Sequence, residues 1–283
     1  MKFIYGKKLK IKEYLINFSQ QKIAMPAFNV PGFDAMEGVF KGSYETNYPA
    51  IVQISKAMLQ RYEPSEIKAL FDINKKKYKA NCFLHLDHCD DFLIIKSCIS
   101  SGWDMVMYDG SNLPIKDNTH NAKLITDFAH KNNVAVEGEI GIIGSNNTEI
   151  KKNSFSTSDL EYFAAKSDID CIAIGFGNVH GQYNKNKNLQ WPIYEKAYEL
   201  TKIPLVLHGC SGLTNDEILR ALKVGTAKIN ISTDLKYEYY KLINKKELKE
   251  KVLSSPKFLH DQILELTSEL TKKYINIVNK EIK

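Results

Sequence analysis

The chain has 283 residues and a formal charge of +6, from 39 Lys+Arg against 33 Asp+Glu; one α/β barrel of about 250 residues would use most of that length. With 43% hydrophobic and 25% charged residues it can bury a sizeable core, and disorder is not indicated. Its lysines are scattered or lie in short runs such as Lys75-Lys76-Lys77, a solvated surface that would also attract a phosphorylated metabolite and that carries no nucleic-acid signature.

The segment from Met1 to Gln20 alternates lysines with short apolar groups. It reaches neither the apolar run of a signal peptide nor the roughly 20 residues of a membrane span. Five cysteines, Cys82, Cys89, Cys98, Cys171 and Cys210, contain no C-x-x-C pair and suit a reducing cytoplasm. A soluble, unsecreted, cytoplasmic protein is expected.

From there β-rich apolar runs alternate with helical stretches. The runs cover 25–30, 50–55, 82–87, 104–109, 134–139, 171–176, 204–208 and 227–232; the helical stretches cover 34–46, 64–76, 91–101, 118–131, 158–167, 192–201 and 215–224. Several helices open with Asp, Ser or Asn as an N-cap. Eight such units predict a parallel (β/α)₈ TIM barrel. A doubly wound open sheet alternates in the same way, but its Gly-rich turn after the first strand is missing: that strand ends Phe28-Asn29-Val30-Pro31-Gly32. Beyond the last strand, 237–283 reads as two or three helices broken near Ser254-Ser255-Pro256. The expected organisation is one domain over 1–283, with a barrel at about 20–235 and a C-terminal helical extension at about 236–283.

In such a barrel the active site lies at the C-terminal ends of the strands. In order those ends offer Asn29; Gln53 and Ser55; Asp87 and His88; Asp109; Glu137 and Glu139; His180; His208; and Asn230, Ser232 and Thr233. Three of the seven histidines, His88, His180 and His208, fall there. Catalytic zinc commonly takes three protein ligands and keeps one position open, so these three form the candidate metal site. His85 alternates in phase with Asp87 and is expected to point into the barrel and be hydrogen-bonded there. His120, His130 and His260 read as surface residues. Asp87, directly before His88, is either a general base or a carboxylate that orients an imidazole. The stretches His208-Gly209-Cys210-Ser211-Gly212 and Asn230-Ile231-Ser232-Thr233-Asp234 are either turns or a phosphate cradle of loop amides and hydroxyls.

At these residues the sequence resembles the class II, zinc-dependent ketose-bisphosphate aldolases, the family of fructose-1,6-bisphosphate and tagatose-1,6-bisphosphate aldolases. The resemblance is carried by Pro26-Ala27-Phe28-Asn29, Leu86-Asp87-His88, Tyr108-Asp109-Gly110-Ser111, Glu137-Gly138-Glu139-Ile140-Gly141, Gly177-Asn178-Val179-His180-Gly181, Leu207-His208-Gly209-Cys210-Ser211-Gly212 and Lys228-Ile229-Asn230-Ile231-Ser232-Thr233-Asp234. It implies one catalytic Zn²⁺ on His88, His180 and His208, with Asp109 and Glu139 near an alternative metal position. It implies Asp87 as the proton-transfer carboxylate, with zinc as the electron sink for an enediolate. Gly181, Gly209, Ser211, Asn230, Ser232 and Thr233 would hold the dihydroxyacetone-phosphate half, with a monovalent cation, Na⁺ or K⁺, nearby. Asn29 and Ser55, at the ends of the first two strands, join this substrate group. A homodimer or homotetramer is expected.

The chain departs from the family in three places. After Gly144 the usual Gly and acidic pair are replaced by Ser145-Asn146-Asn147-Thr148-Glu149, which puts Asn147 at the expected acid position; with a shift of the loop Glu149 would substitute as the second catalytic acid. Asn184 stands where a phosphate-binding lysine is usual, with Lys185 next, and Lys257 stands where many relatives have arginine. Fructose 1,6-bisphosphate is the favoured substrate, followed by tagatose 1,6-bisphosphate and then another phosphorylated keto-sugar. A non-catalytic aldolase-like subunit and a zinc hydrolase on the same barrel are the rival readings.

Overall fold

The structure is a computed structural model and describes residues 9–145, 155–181, 188–245, 248, 251–253 and 255–279. The strands are β1 (Met25–Asn29), β2 (Ala50–Ser55), β3 (Cys82–Cys89), β4 (Met105–Tyr108), β5 (Ala135–Ile140), β6 (Gly144–Ser145), β7 (Cys171–Ile174), β8 (Val179–His180), β9 (Leu205–Leu207) and β10 (Thr226–Ile231). Eight of them close into a parallel barrel in the order β1-β10-β9-β7-β5-β4-β3-β2. The fold is that of a (β/α)₈ barrel. β6 and β8 pair separately as a short parallel ribbon, with Gly144 opposite Val179 and Ser145 opposite His180.

The alternating helices are α1 (Ile11–Gln21), α2 (Phe33–Thr46), α3 (Pro64–Tyr78), α4 (Phe92–Ser100), α5 (Ile115–Lys131), α6 (Thr157–Ser167), α7 (Trp191–Thr201), α8 (Asn215–Lys223), α9 (Thr233–Ile243) and α10 (Lys257–Val278). Helices cover the outer face of the barrel, so its strands are buried on both sides and read as near-continuous apolar runs, as β7 (Cys171-Ile172-Ala173-Ile174) does. N-caps set several helix starts. Asp91 accepts from the amides of Leu93 at 2.9 Å and Ile94 at 3.3 Å, and Ser156 and Thr214 each form a capping box.

Most element boundaries differ from the sequence reading by one to three residues, and one helix is new. α5 starts at Ile115, three residues earlier than expected, because Pro114 occupies the N-cap and its fixed φ favours entry into the helix. β4 begins at Met105, one residue later than expected, although the Asp104 backbone still bonds to Leu84 and Ala135 on either side, and its carboxylate accepts from the amide of Leu84 at 2.8 Å. α1 was not anticipated; its Ile11, Leu15 and Phe18, spaced four and three residues apart, form one buried face.

The chain returns to the barrel through α10, which crosses α2 so closely that a Cβ at Gly38 would lie 2.5 Å from the Leu264 carbonyl oxygen. Tyr274 on α10 donates to Asp234 Oδ2 at 2.6 Å, tying this helix to the segment after β10. Among the described residues no helix is long and apolar enough to cross a membrane.

The barrel interior is not purely aliphatic. Gln53, His85, Glu137 and Lys228 are fully buried in it. His85 points inward as expected, but neither of its ring nitrogens has a hydrogen-bond partner among the described residues. Glu137 Oε2 lies 3.8 Å from Nε2 and is bound by Lys228 Nζ at 2.8 Å.

Candidate active site

The end of β3 carries the first pair of site residues. Consecutive strand residues normally point to opposite faces, yet Asp87 and His88 both serve the mouth of the barrel. Two local features permit this: the pairing of β3 with β4 shifts register between Leu86 and Cys89, and His88 has φ +37°. Such a φ is unusual for a side chain of this size and is held here by the surrounding contacts.

Asp87 is 5% exposed and receives three amide donors. Its Oδ1 accepts from Gln53 Nε2 at 2.6 Å and from Asn230 Nδ2 at 3.3 Å, and its Oδ2 accepts from Asn29 Nδ2 at 2.7 Å. Burial alone would raise its pKa, but the neighbouring His88, His208 and Lys228 charges and the Asn29 bond outweigh burial and hold it well below the ordinary carboxylate range.

His88, His180 and His208 come from β3, β8 and the end of β9, and their rings converge, with centroids 4.8 Å apart for His88–His180 and His88–His208 and 5.7 Å for His180–His208. The outer nitrogen of two of these rings is held by a carboxylate: His88 Nδ1 lies 2.9 Å from Asp109 Oδ2, and His208 Nε2 lies 2.8 Å from Glu137 Oε1. Their inner nitrogens, His88 Nε2 and His208 Nδ1, face each other at 3.1 Å. If both outer nitrogens donate to carboxylates, two neutral imidazoles would aim lone pairs at one another. A cation between them resolves that conflict.

The sequence model of the family described as fructose-bisphosphate aldolase class-II matches residues 9–283. The chain belongs to this family. A sulfofructosephosphate aldolase of Alkalicoccus urumqiensis is 30% identical over 244 residues, covering 84% of this chain and 83% of the relative. Among solved structures, the YdjI aldolase of Escherichia coli superposes with a TM-score of 0.82 at 21% identity, covering 96% of this chain and 98% of that one. The fructose-bisphosphate aldolase of Campylobacter jejuni gives a TM-score of 0.81 at 22% identity, covering 95% and 94%. At those identities the structural likeness speaks for the fold.

Class II aldolases are generally metal-dependent, and the donor set of this family member suits a cation in two overlapping positions. The ligand atoms of His88, His180 and His208 lie within 4.8 Å of one another, as do those of His88, Asp109 and Glu139. Three nitrogens around a tetrahedral zinc would be roughly 3.3 Å apart, close to the 3.1 Å between His88 and His208. The protonation pattern describes one positive charge at the same place. Burial opposes charge on His88, yet Asp87, Asp109 and Glu139 raise its pKa to about 10. Burial and the His88 charge lower His180 to about 4 and push His208 well down. Glu139, raised to about 8 by burial and by Asp109, keeps Oε2 buried without a hydrogen bond, 3.5 Å from His88 Nδ1. An orphaned carboxylate oxygen beside an imidazole of the candidate metal group is what a second cation position would use.

Of the residues expected to hold substrate in this aldolase, Asn29, Gly181, Gly209, Ser211, Asn230, Ser232 and Thr233 line one small cleft together with Asp87 and His180. Ser55 stands outside it, at the end of β2, paired in register with Asp87. Lys257 forms an ion pair with Asp261 on its own helix. Glu149, Asn184 and Lys185 lie outside the described residues. Gln53 and Glu137 were visible at strand ends but had no assigned partner, and Lys228 lay inside a quoted motif without a role. The available signal was phase: Lys228 precedes Asn230 by two residues on β10, so a lysine shares its inward face.

Proposed function

We propose that the chain is a zinc-dependent aldolase that reversibly cleaves a phosphorylated ketose, with fructose 1,6-bisphosphate favoured, to dihydroxyacetone phosphate and glyceraldehyde 3-phosphate. The observation that carries this reading is Asp87, an ionised carboxylate held by three amides in the same cleft as His180. Cleavage requires removal of the C4 hydroxyl proton, and Asp87 is the base suited to accept it. Asn29, Gln53 and Asn230 fix its oxygens in place. Zn²⁺ on His88, His180 and His208 would supply Lewis-acid polarisation of the ketone. Gly181, Gly209, Ser211, Ser232 and Thr233 would bind the near phosphate through backbone amides and hydroxyls at the start of α9, with Na⁺ or K⁺ adding charge balance. Glu149 is assigned the later protonation on sequence grounds.

A second reading concerns the far end of the substrate. The Alkalicoccus relative is named for a sulfonated fructose phosphate, and the present chain has only two arginines, Arg61 and Arg220, for a second anion. Arg220 is engaged by Glu195 and stacks over Trp191. A sulfonate in place of the second phosphate suits a site with so few guanidinium groups, because it carries one charge fewer. The deciding experiment is cleavage of fructose 1,6-bisphosphate, tagatose 1,6-bisphosphate and sulfofructose phosphate side by side, before and after chelation and zinc restoration. Activity lost to the chelator and regained with zinc supports the reaction, and the ratio of rates selects the substrate. A zinc-loaded protein that cleaves none of the three would reject the proposal.

A further inference from the structure

Beneath the histidines the barrel encloses a fully buried ion pair. Lys228 Nζ on β10 lies 2.8 Å from Glu137 Oε2 on β5, and both side chains are 0% exposed. The same ammonium donates to Asn230 Oδ1 at 2.8 Å. Both acceptors continue into the site, and Asn230 Nδ2 also lies 3.1 Å from His208 Nε2 and 3.3 Å from its Nδ1. Glu137 Oε1 lies 2.8 Å from His208 Nε2, and Asn230 Nδ2 lies 3.3 Å from Asp87 Oδ1. One cation therefore begins two chains, Lys228–Glu137–His208 and Lys228–Asn230–Asp87.

A lysine ammonium has donors and no acceptor, so it sets the direction of every bond downstream. Asn230 must turn its oxygen toward Lys228, which leaves its NH₂ to face the carboxylate of Asp87. The reversed amide would put an oxygen against that carboxylate and an NH₂ against the ammonium. Glu137, with Oε2 taken by Lys228, accepts at Oε1 from His208 Nε2–H. His208 is thereby held as the Nε2–H tautomer, with the Nδ1 lone pair turned toward His88 Nε2 at 3.1 Å.

We propose that Lys228 is a positioning residue: through Glu137 it selects the tautomer with which His208 presents Nδ1 to a metal, and through Asn230 it orients the amide that holds Asp87. A structural role alone would not favour these residues. A buried ion pair is often no more stabilising than an apolar pair of similar volume, because desolvation offsets the attraction. Carboxylates behind metal-bound imidazoles, by contrast, commonly change affinity 10- to 100-fold when removed.

The assignment rests on the metal-dependent reading for its affinity readout but not for its spectroscopic one. Lys228→Met alone leaves Glu137 buried without its cation, and a lowered unfolding midpoint is expected. The informative variant is therefore the double substitution Lys228→Met with Glu137→Gln, compared with wild type in three measurements. Its metal-free unfolding midpoint should equal or exceed that of wild type, which shows that the barrel is intact. Its zinc affinity, measured by competition with a chromogenic chelator, should fall 10- to 100-fold. In ¹⁵N-histidine spectra of the metal-free wild type, His208 should carry its proton on Nε2, and in the double variant that preference should be lost. Zinc affinity within twofold of wild type, or a wild-type His208 protonated on Nδ1, would overturn the assignment. If wild type binds no zinc at all, the metal-dependent reading fails, while the tautomer spectrum still judges the Lys228–Glu137–His208 chain.

Discussion

On the strand side of the cleft, chemistry is carried by side chains that leave little freedom: Asp87 has three amide donors, and two imidazoles are backed by Asp109 and Glu137. On the loop side, Gly181, Gly209, Ser211, Ser232 and Thr233 present mainly backbone amides and short hydroxyls. Gly209 adopts φ +74°, a conformation that side chains disfavour, so the backbone itself forms part of the surface. Under the proposed reading the strand side would concentrate function in single atoms, whereas the loop side would spread it over several donors. Single substitutions should therefore act very differently on the two.

The largest effect is expected from His180→Ala, which should lose bound zinc and activity together, as metal analysis and a cleavage assay on the same preparation would reveal. Retained stoichiometric zinc in that variant would remove His180 from the ligand set. Asp87→Ala should keep zinc and lower kcat by about 10²- to 10⁴-fold, the usual range for a lost general base. Turnover within a few-fold of wild type would reassign Asp87 to imidazole orientation.

Next in size is a pH effect confined to the strand side. On the proposed reading zinc would displace a proton from His88, whose pKa Asp87, Asp109 and Glu139 raise to about 10 against the effect of burial. Since that group is protonated below its pKa, affinity should rise with pH, by about tenfold per unit for one proton, and level off only as pH approaches that value. Calorimetry in buffers of different ionisation enthalpy should report about one proton released near pH 7. A buffer-independent heat would argue against it. The smallest effect belongs to the loop side. Ser211→Ala removes one hydroxyl, which also accepts from the Asp234 amide at 3.1 Å, and should raise KM roughly 2- to 10-fold with kcat little changed, the scale of one hydrogen bond. A loss comparable to Asp87→Ala would dissolve the contrast between the two sides.

Much of this arrangement was legible in residue order. Runs such as 50–55 and 82–87 alternate with helical stretches, and strands and helices differ in period and in the residues that punctuate them. His88, His180 and His208 stood out because histidines are few and all three follow strand-ending runs. α1 escaped notice because its apolar stripe is short and set among lysines, and its helical state is supported by packing, including Tyr14 against Phe83 and Phe18 against Tyr48.

Residue order alone determined the barrel type, the set of chemically able side chains and the family, because each follows from local periodicity or from residue types at fixed positions in the chain. Only the tertiary structure decided which partner each polar atom has. Glu137 faces His208 across 71 positions of sequence and Lys228 across 91, and His85 is left without a hydrogen-bond partner among the described residues. The register shift after Leu86 and the φ of His88 likewise depend on β4 lying alongside β3. Hydrogen-bond direction and tautomer are properties of atoms a few ångströms apart in space, and sequence separation carries no record of them.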